Sequence, residues 1–197
     1  MYRSIEVQRS PRVAGNARLT GAVAAALLVL LAAEGATIPF IGQLLGPHVF
    51  IGMLLIPPVL LKLGSTGYRF VRYYSGSPAY VRKGPPNIAL RVLAPGVVLT
   101  TLALFGTGVA LLVAGPPSNT LMFAHKLSFI GWVALMTLHV LGHVLEVPAL
   151  ALPNWRHNGP PEARLAGAGV RMMALGLAIL AGTVLALLTY SAAGPWF

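Results

Sequence analysis

Two histidines stand where an imidazole is hardest to keep. His48 opens one long apolar run, Pro47-His48-Val49-Phe50-Ile51-Gly52-Met53-Leu54, and His125 opens another, Phe123-Ala124-His125-Lys126-Leu127-Ser128-Phe129. An ionisable side chain inside a membrane-length apolar run is costly, so by default it reads as functional. Imidazole nitrogen is a metal ligand, and two imidazoles facing each other from neighbouring helices suit the two axial positions of a b-type haem iron. Gly52, one turn below His48, removes a side chain where a flat macrocycle needs room. The bland alternative for each histidine is a polar residue at a helix end, capping backbone or touching headgroups.

The run after His125 also carries His139, His143 and Glu146. The step from His125 to His139 rotates about 1400° on a helix, leaving the two about 40° apart on one face and roughly 21 Å apart along the axis. His143 falls about five turns from His125. The three histidines thus form one polar stripe that cannot face lipid. Neighbours at i and i+4 cannot take opposite axial positions of one iron, so His139 and His143 are not a haem pair. With Glu146 they are instead a candidate quinone and proton site, because quinone reduction needs proton donors and His titrates near neutral pH. The His-x-x-x-His-x-x-Glu spacing would also suit a metal, but three ligands on one helix without a thiolate are a weak signal. A hydrogen-bonded polar contact between helices is at least as good a reading. Glu34 could pair with Lys126, relay protons or cap a broken helix.

The elements that must position these residues follow from composition. The 197 residues are 56% hydrophobic and 9% charged, with a mean hydropathy of +0.77. A soluble domain carries about 25% charged residues, so the balance predicts an all-α polytopic transmembrane bundle in a lipid bilayer. Five apolar segments stand out, about Leu19–Ile41, Leu44–Gly64, Ala89–Ala114, Leu121–Val147 and Gly169–Tyr190. Each reaches the roughly 20 residues needed to cross about 30 Å of hydrocarbon. Residues 1–18 are then a cytoplasmic N-terminal segment, 19–190 the bundle and 191–197 an external tail. From the segment midpoints, near Leu55 and Ala134, His48 and His125 lie roughly 10 and 13 Å toward the outer side, level within the error of the boundaries.

Charge sets the orientation. Arg3, Arg9, Arg12 and Arg18 precede the first segment; Lys62, Arg69, Arg72, Arg82, Lys83 and Arg91 flank the second connector; Arg156, Arg164 and Arg171 lie before the last segment. Only Lys126 is opposite. The positive-inside rule then predicts a cytoplasmic N-terminus and an external C-terminus. Because the basic residues sit in connectors, the net charge of +10 points to topology and not to nucleic acid. The absence of cysteine excludes disulfides, thiolate-held iron–sulfur clusters and a thioether-attached haem. Abundant Ala, Gly, Pro and Arg suggest a high-GC bacterium, hence its cytoplasmic membrane. The connector Ser65–Asn87, with Pro85-Pro86, is expected to be irregular, and Lys62 to snorkel to the cytoplasm. Its Tyr68, Phe70, Tyr73 and Tyr74 alternate with Arg69 and Arg72 as an interfacial belt or, more sharply, as a docking surface for a cytoplasmic partner.

A cytoplasmic N-terminus, one His near the outer end of the second segment and two His fourteen apart on the fourth resemble the cytochrome b subunits of respiratory formate dehydrogenases and nickel–iron hydrogenases. The resemblance covers roughly Leu19–Val147 and leaves the fifth segment unaccounted for. It implies a four-helix haem-binding core with an outer haem between His48 and His125. It also implies an inner haem ligand at His139, but the first segment, reading Arg18-Leu19-Thr20-Gly21 at its cytoplasmic end, has no His to oppose it. One haem b per chain is therefore expected, with His139 left near a quinone pocket. The function expected is electron transfer between quinone and a redox partner subunit at the outer face, or directly to a small oxidant such as superoxide or ferric iron. From another class comes a cofactor-free membrane anchor, or a proton- or solute-conducting subunit of a larger homo- or hetero-oligomer.

Overall fold

The computed structural model describes residues 11–84, 88–143 and 167–196. Within them every element is helical, which is how a chain so poor in water-compatible surface satisfies its backbone N–H and C=O groups locally. Helix α1 spans Pro11–Thr37; a 3-10 turn, Ile38–Phe40, leads into α2, Ile41–Tyr74. The short α3, Pro78–Lys83, is followed by α4, Ile88–Ala114, α5, Asn119–His143, and α6, Ala168–Thr189, which runs into a terminal 3-10 helix, Tyr190–Trp196.

Four stretches are long and apolar enough to cross a membrane: Val13–Tyr74, Ile88–Ala114, Asn119–Gly142 and Ala168–Trp196. The first, 62 residues long, folds back on itself. At one end Lys62 Nζ donates to the Thr20 carbonyl at 2.9 Å and Asn16 Nδ2 to the Ser65 carbonyl at 3.1 Å. At the other end Thr37 meets His48, so α1 and α2 run antiparallel. Local sequence explains the reversal. Pro39 sits in the 3-10 turn, and Leu44 leaves helical geometry at φ −110°, ψ 20°. Pro47 falls in the first turn after that break, where a missing N–H costs least.

Two blocks make the bundle. In the first, α2 packs along α6 and α1, around a core of Ala22, Val23, Leu27, Leu55 and Leu175. Gly182 on α6 lies against the Leu54 backbone carbonyl, an approach that no side chain would permit. In the second block α4 and α5 pair through small residues: Gly96 meets Leu135, Gly131 meets Thr100 and Gly142 meets Leu90. Trp132 Nε1 donates across this seam to Thr101 Oγ1 at 3.0 Å. The blocks touch sparsely, through α2 with α4, through the terminal 3-10 helix and through Phe105, which packs on the first core. The space left between them is a cavity.

Several boundaries differ from the sequence expectation. Residues 11–18 belong to α1, so the N-terminal segment is partly helix. Helix α2 runs ten residues beyond Gly64, to Tyr74. It ends at the Ser75 cap and Gly76, whose φ is +75°, and an edge-to-face contact of Tyr68 with Tyr80 at 6.0 Å ties it to α3. The connector is thus largely helical where an irregular one was expected. Lys62 does not snorkel, because the Thr20 carbonyl on the neighbouring helix accepts its proton. The tail after Tyr190 turns back as a 3-10 helix that buries Ala193 completely.

Candidate functional site

The cavity, about 310 Å3, is walled by α1, α2, α4 and α5, and Trp196 of the terminal 3-10 helix also lines it. Its lining is overwhelmingly apolar, including Ile38, Ile56, Phe105 and Phe129, and its few polar groups are Glu34, His48, His125 and Lys126 together with the indoles of Trp132 and Trp196. Concave apolar sites with a few convergent polar groups are the usual form of a cofactor or ligand pocket.

His48 and His125 come together here from α2 and α5. Their ring centroids are 6.4 Å apart and the ring planes stand at 83°. The hydrogen bonds around each ring assign its tautomer. Thr37 Oγ1 donates its one proton to the Glu34 carbonyl at 2.6 Å, so toward His48 Nδ1, 2.9 Å away, it accepts. Glu34 Oε1, 3.1 Å from the same nitrogen, is an acceptor too. His48 therefore carries its proton on Nδ1 and keeps a lone pair on Nε2. His125 repeats the logic. Thr107 Oγ1 donates to the carbonyls of Ala103 and Leu104, at 2.7 and 3.0 Å, and accepts from His125 Nδ1 at 3.1 Å. Ser128, which donates to the His125 carbonyl at 2.9 Å, completes the cluster on that side. Two neutral imidazoles result, each anchored through Nδ1 and each with Nε2 available as a ligand. Metal-binding histidines are held in this way by their second nitrogen.

The separation matches the spacing that a shared metal would require. An imidazole nitrogen lies about 2 Å from a first-row transition metal and about 1 Å from its own ring centre, so two imidazoles holding one metal from opposite sides would have centroids about 6 Å apart. Glycines give the rings and their partners room. A Cβ at Gly108 would stand 3.2 Å from His125 Cε1, and one at Gly52 would stand 3.4 Å from Glu34 Oε1. Gly52 thus lines the cavity as expected, with the Glu34 carboxylate directly in front of it. Glu34 is paired with His48 and not with Lys126, and its second oxygen, Oε2, is buried without a hydrogen-bond partner among the described residues.

The remaining candidates are not brought into this cavity. His139 is half-buried on the face of α5 that Leu135 and Gly142 turn toward α4. His143 ends α5, and its side chain, like the whole of Glu146, lies outside the described residues. Sequence reasoning missed Thr37, Thr107 and Gly108. A signal existed in Gly106-Thr107-Gly108, three small residues with a hydroxyl in the middle of an apolar run level with His125. Comparison with known protein families, with curated proteins and with solved structures yields no match.

Proposed function

We propose that this chain is an integral membrane b-type cytochrome that carries electrons between the quinone pool and a redox partner at the outer face, through one haem b ligated by His48 and His125. The observation that carries the reading is the pair itself: two Nδ1-anchored imidazoles, 6.4 Å apart in an apolar cavity between helix pairs.

Bound haem supplies reversible one-electron transfer. The protein's residues do the rest. Glu34 and Thr37 orient His48, Thr107 and Gly108 orient His125, and Phe105, Phe129 and Ile56 keep water from the cavity. His139, with His143 and Glu146, is assigned to proton donation at a quinone site on the inner side. The reading includes five crossings, with α1 and α2 each spanning once, an N-terminus in the bacterial cytoplasm and a C-terminus outside, following the basic residues. The connections at Ile38–Phe40 and between Ala114 and Asn119 are too short to house a second redox centre, so electrons leave to a separate partner. The chain then resembles, in its single outer haem, the cytochrome b subunits of formate dehydrogenases and hydrogenases.

A pyridine haemochrome assay with protein quantification tests this. One haem b per chain is expected, and His48→Ala or His125→Ala should abolish the low-spin spectrum while His143→Ala spares it. A purified wild-type protein without a Soret band would overturn the reading and leave a cofactor-free anchor in its place. Two haems per chain would overturn the stoichiometry.

A further inference from the structure

Lys126 follows His125 directly and lines the same cavity. It is exposed, whereas the other described basic residues gather at the opposite end, where Lys62 meets Thr20 and Arg91 meets Tyr74. Among the described residues the one carboxylate is Glu34, and it is engaged with His48. A lysine ammonium on the exposed edge of an apolar cavity is a point of anion recognition, since its three donors can rotate onto an acid. Trp196 also lines the cavity, and its indole N–H is a second donor there.

The ligand that two axial imidazoles would hold is itself amphiphilic: a flat apolar macrocycle with carboxylates along one edge. Burying that edge among Ile56, Phe105 and Phe129 would leave unpaired charges in an apolar wall. We propose that Lys126 is the acid anchor of this cavity: its ammonium pairs with a carboxylate on the edge of the haem and fixes that edge at the mouth. The assignment rests on the haem reading of the cavity. It gives the site a chemical preference, for porphyrins with free acid groups over neutral ones, and it gives the macrocycle one orientation in a slot whose apolar walls would accept several.

Haem loss from the purified holoprotein to an excess of a soluble apo-globin, followed in the Soret band, tests the anchor. Release from Lys126→Met should be on the order of tenfold faster than wild type, the size of one partly exposed charge-assisted hydrogen bond, while Lys126→Arg stays close to wild type. Full-length protein made without haem and then titrated with haem or its dimethyl ester provides the second arm. Wild type should prefer the free acid by about the same factor, and Lys126→Met should bind both forms equally. Equal release rates for wild type and Lys126→Met, or an ester discrimination that survives the substitution, would overturn the anchor while the bis-histidine site stands. Failure of the wild type to take up either porphyrin would overturn both.

Discussion

At the scale of single residues, what distinguishes His48 and His125 from polar residues at helix ends is how their hydrogen atoms are placed. Each hydroxyl beside them already donates to a carbonyl of its own helix, which forces Nδ1 of each imidazole to be the donor. The two rings differ in one respect: His48 donates to a carboxylate as well as a hydroxyl. A carboxylate acceptor makes the imidazole a more basic ligand, which favours the oxidised metal. Glu34→Gln keeps an acceptor for His48 and replaces the carboxyl group, so the midpoint potential of the proposed haem should rise with little loss of haem; redox titration reads it. Glu34→Ala removes the acceptor too and should weaken haem binding by about tenfold or more. An unchanged potential in Glu34→Gln would limit the residue to holding the ring. Gly108 bears on the other histidine. A methyl there crowds His125 by a few tenths of an ångström and a larger side chain occupies the ring's place. Gly108→Ala should lower haem content modestly and Gly108→Leu should eliminate it, the overpacking costing about 1–3 kcal/mol or more. Both proteins should remain monodisperse on size exclusion.

At the scale of elements, the site exists because α2 and α5 each bring their histidine to the same level from different blocks. The level of His48 depends on the break at Leu44 and on Pro47, which restart α2 close before this histidine. The angle of α2 depends on α6, which lies so close that Gly182 touches the Leu54 backbone. Gly182→Leu should push α6 away from α2. The expected result is loss of thermal stability by several degrees and a parallel fall in haem content, read by melting the detergent-solubilised protein with and without haem. Were stability unaffected, α6 would not be what supports α2. Helix α4 contributes differently, through a polar chain in an apolar seam: Thr101 receives the Trp132 indole and Thr107 receives His125. Such hydrogen bonds between helices in lipid are worth about 0.6–2 kcal/mol each and also set the rotation of α5.

At the scale of the whole molecule, the described basic residues converge on one end because the contacts there join the start of α1 to the end of α2, the start of α6 to Gly15, and the start of α4 to Tyr74. The histidine pair and Lys126 occupy the other end. With the basic end cytoplasmic, Arg82→Cys should react only with membrane-permeant thiol reagents in intact cells, and Ser118→Cys should react with impermeant ones. No native cysteine interferes. Labelling of position 82 by an impermeant reagent would reverse the orientation.

Much of this was legible without coordinates. Hydropathy dictates helices, because an apolar run of about 20 residues satisfies its own backbone donors in lipid only as a helix, and the helices found at Ile88–Ala114 and Ala168–Thr189 lie within a residue of those expected. The singling out of His48 and His125 was equally local, resting on the cost of an imidazole in an apolar run and on a count of residues to each helix end. Helix ends facing water were less legible: α1 starts earlier and α2 ends later than hydropathy implies, since polar residues outside lipid can continue a helix as readily as end it. Tertiary structure alone decided the partners. That Glu34 pairs with His48 and not Lys126, that Thr107 and Gly108 serve His125, and that Lys62 donates to Thr20 all depend on the rotation of one helix against another. Rotation is set by where small residues let backbones approach, as at Gly182 and Gly96, and that is a property of two surfaces together that neither segment carries by itself.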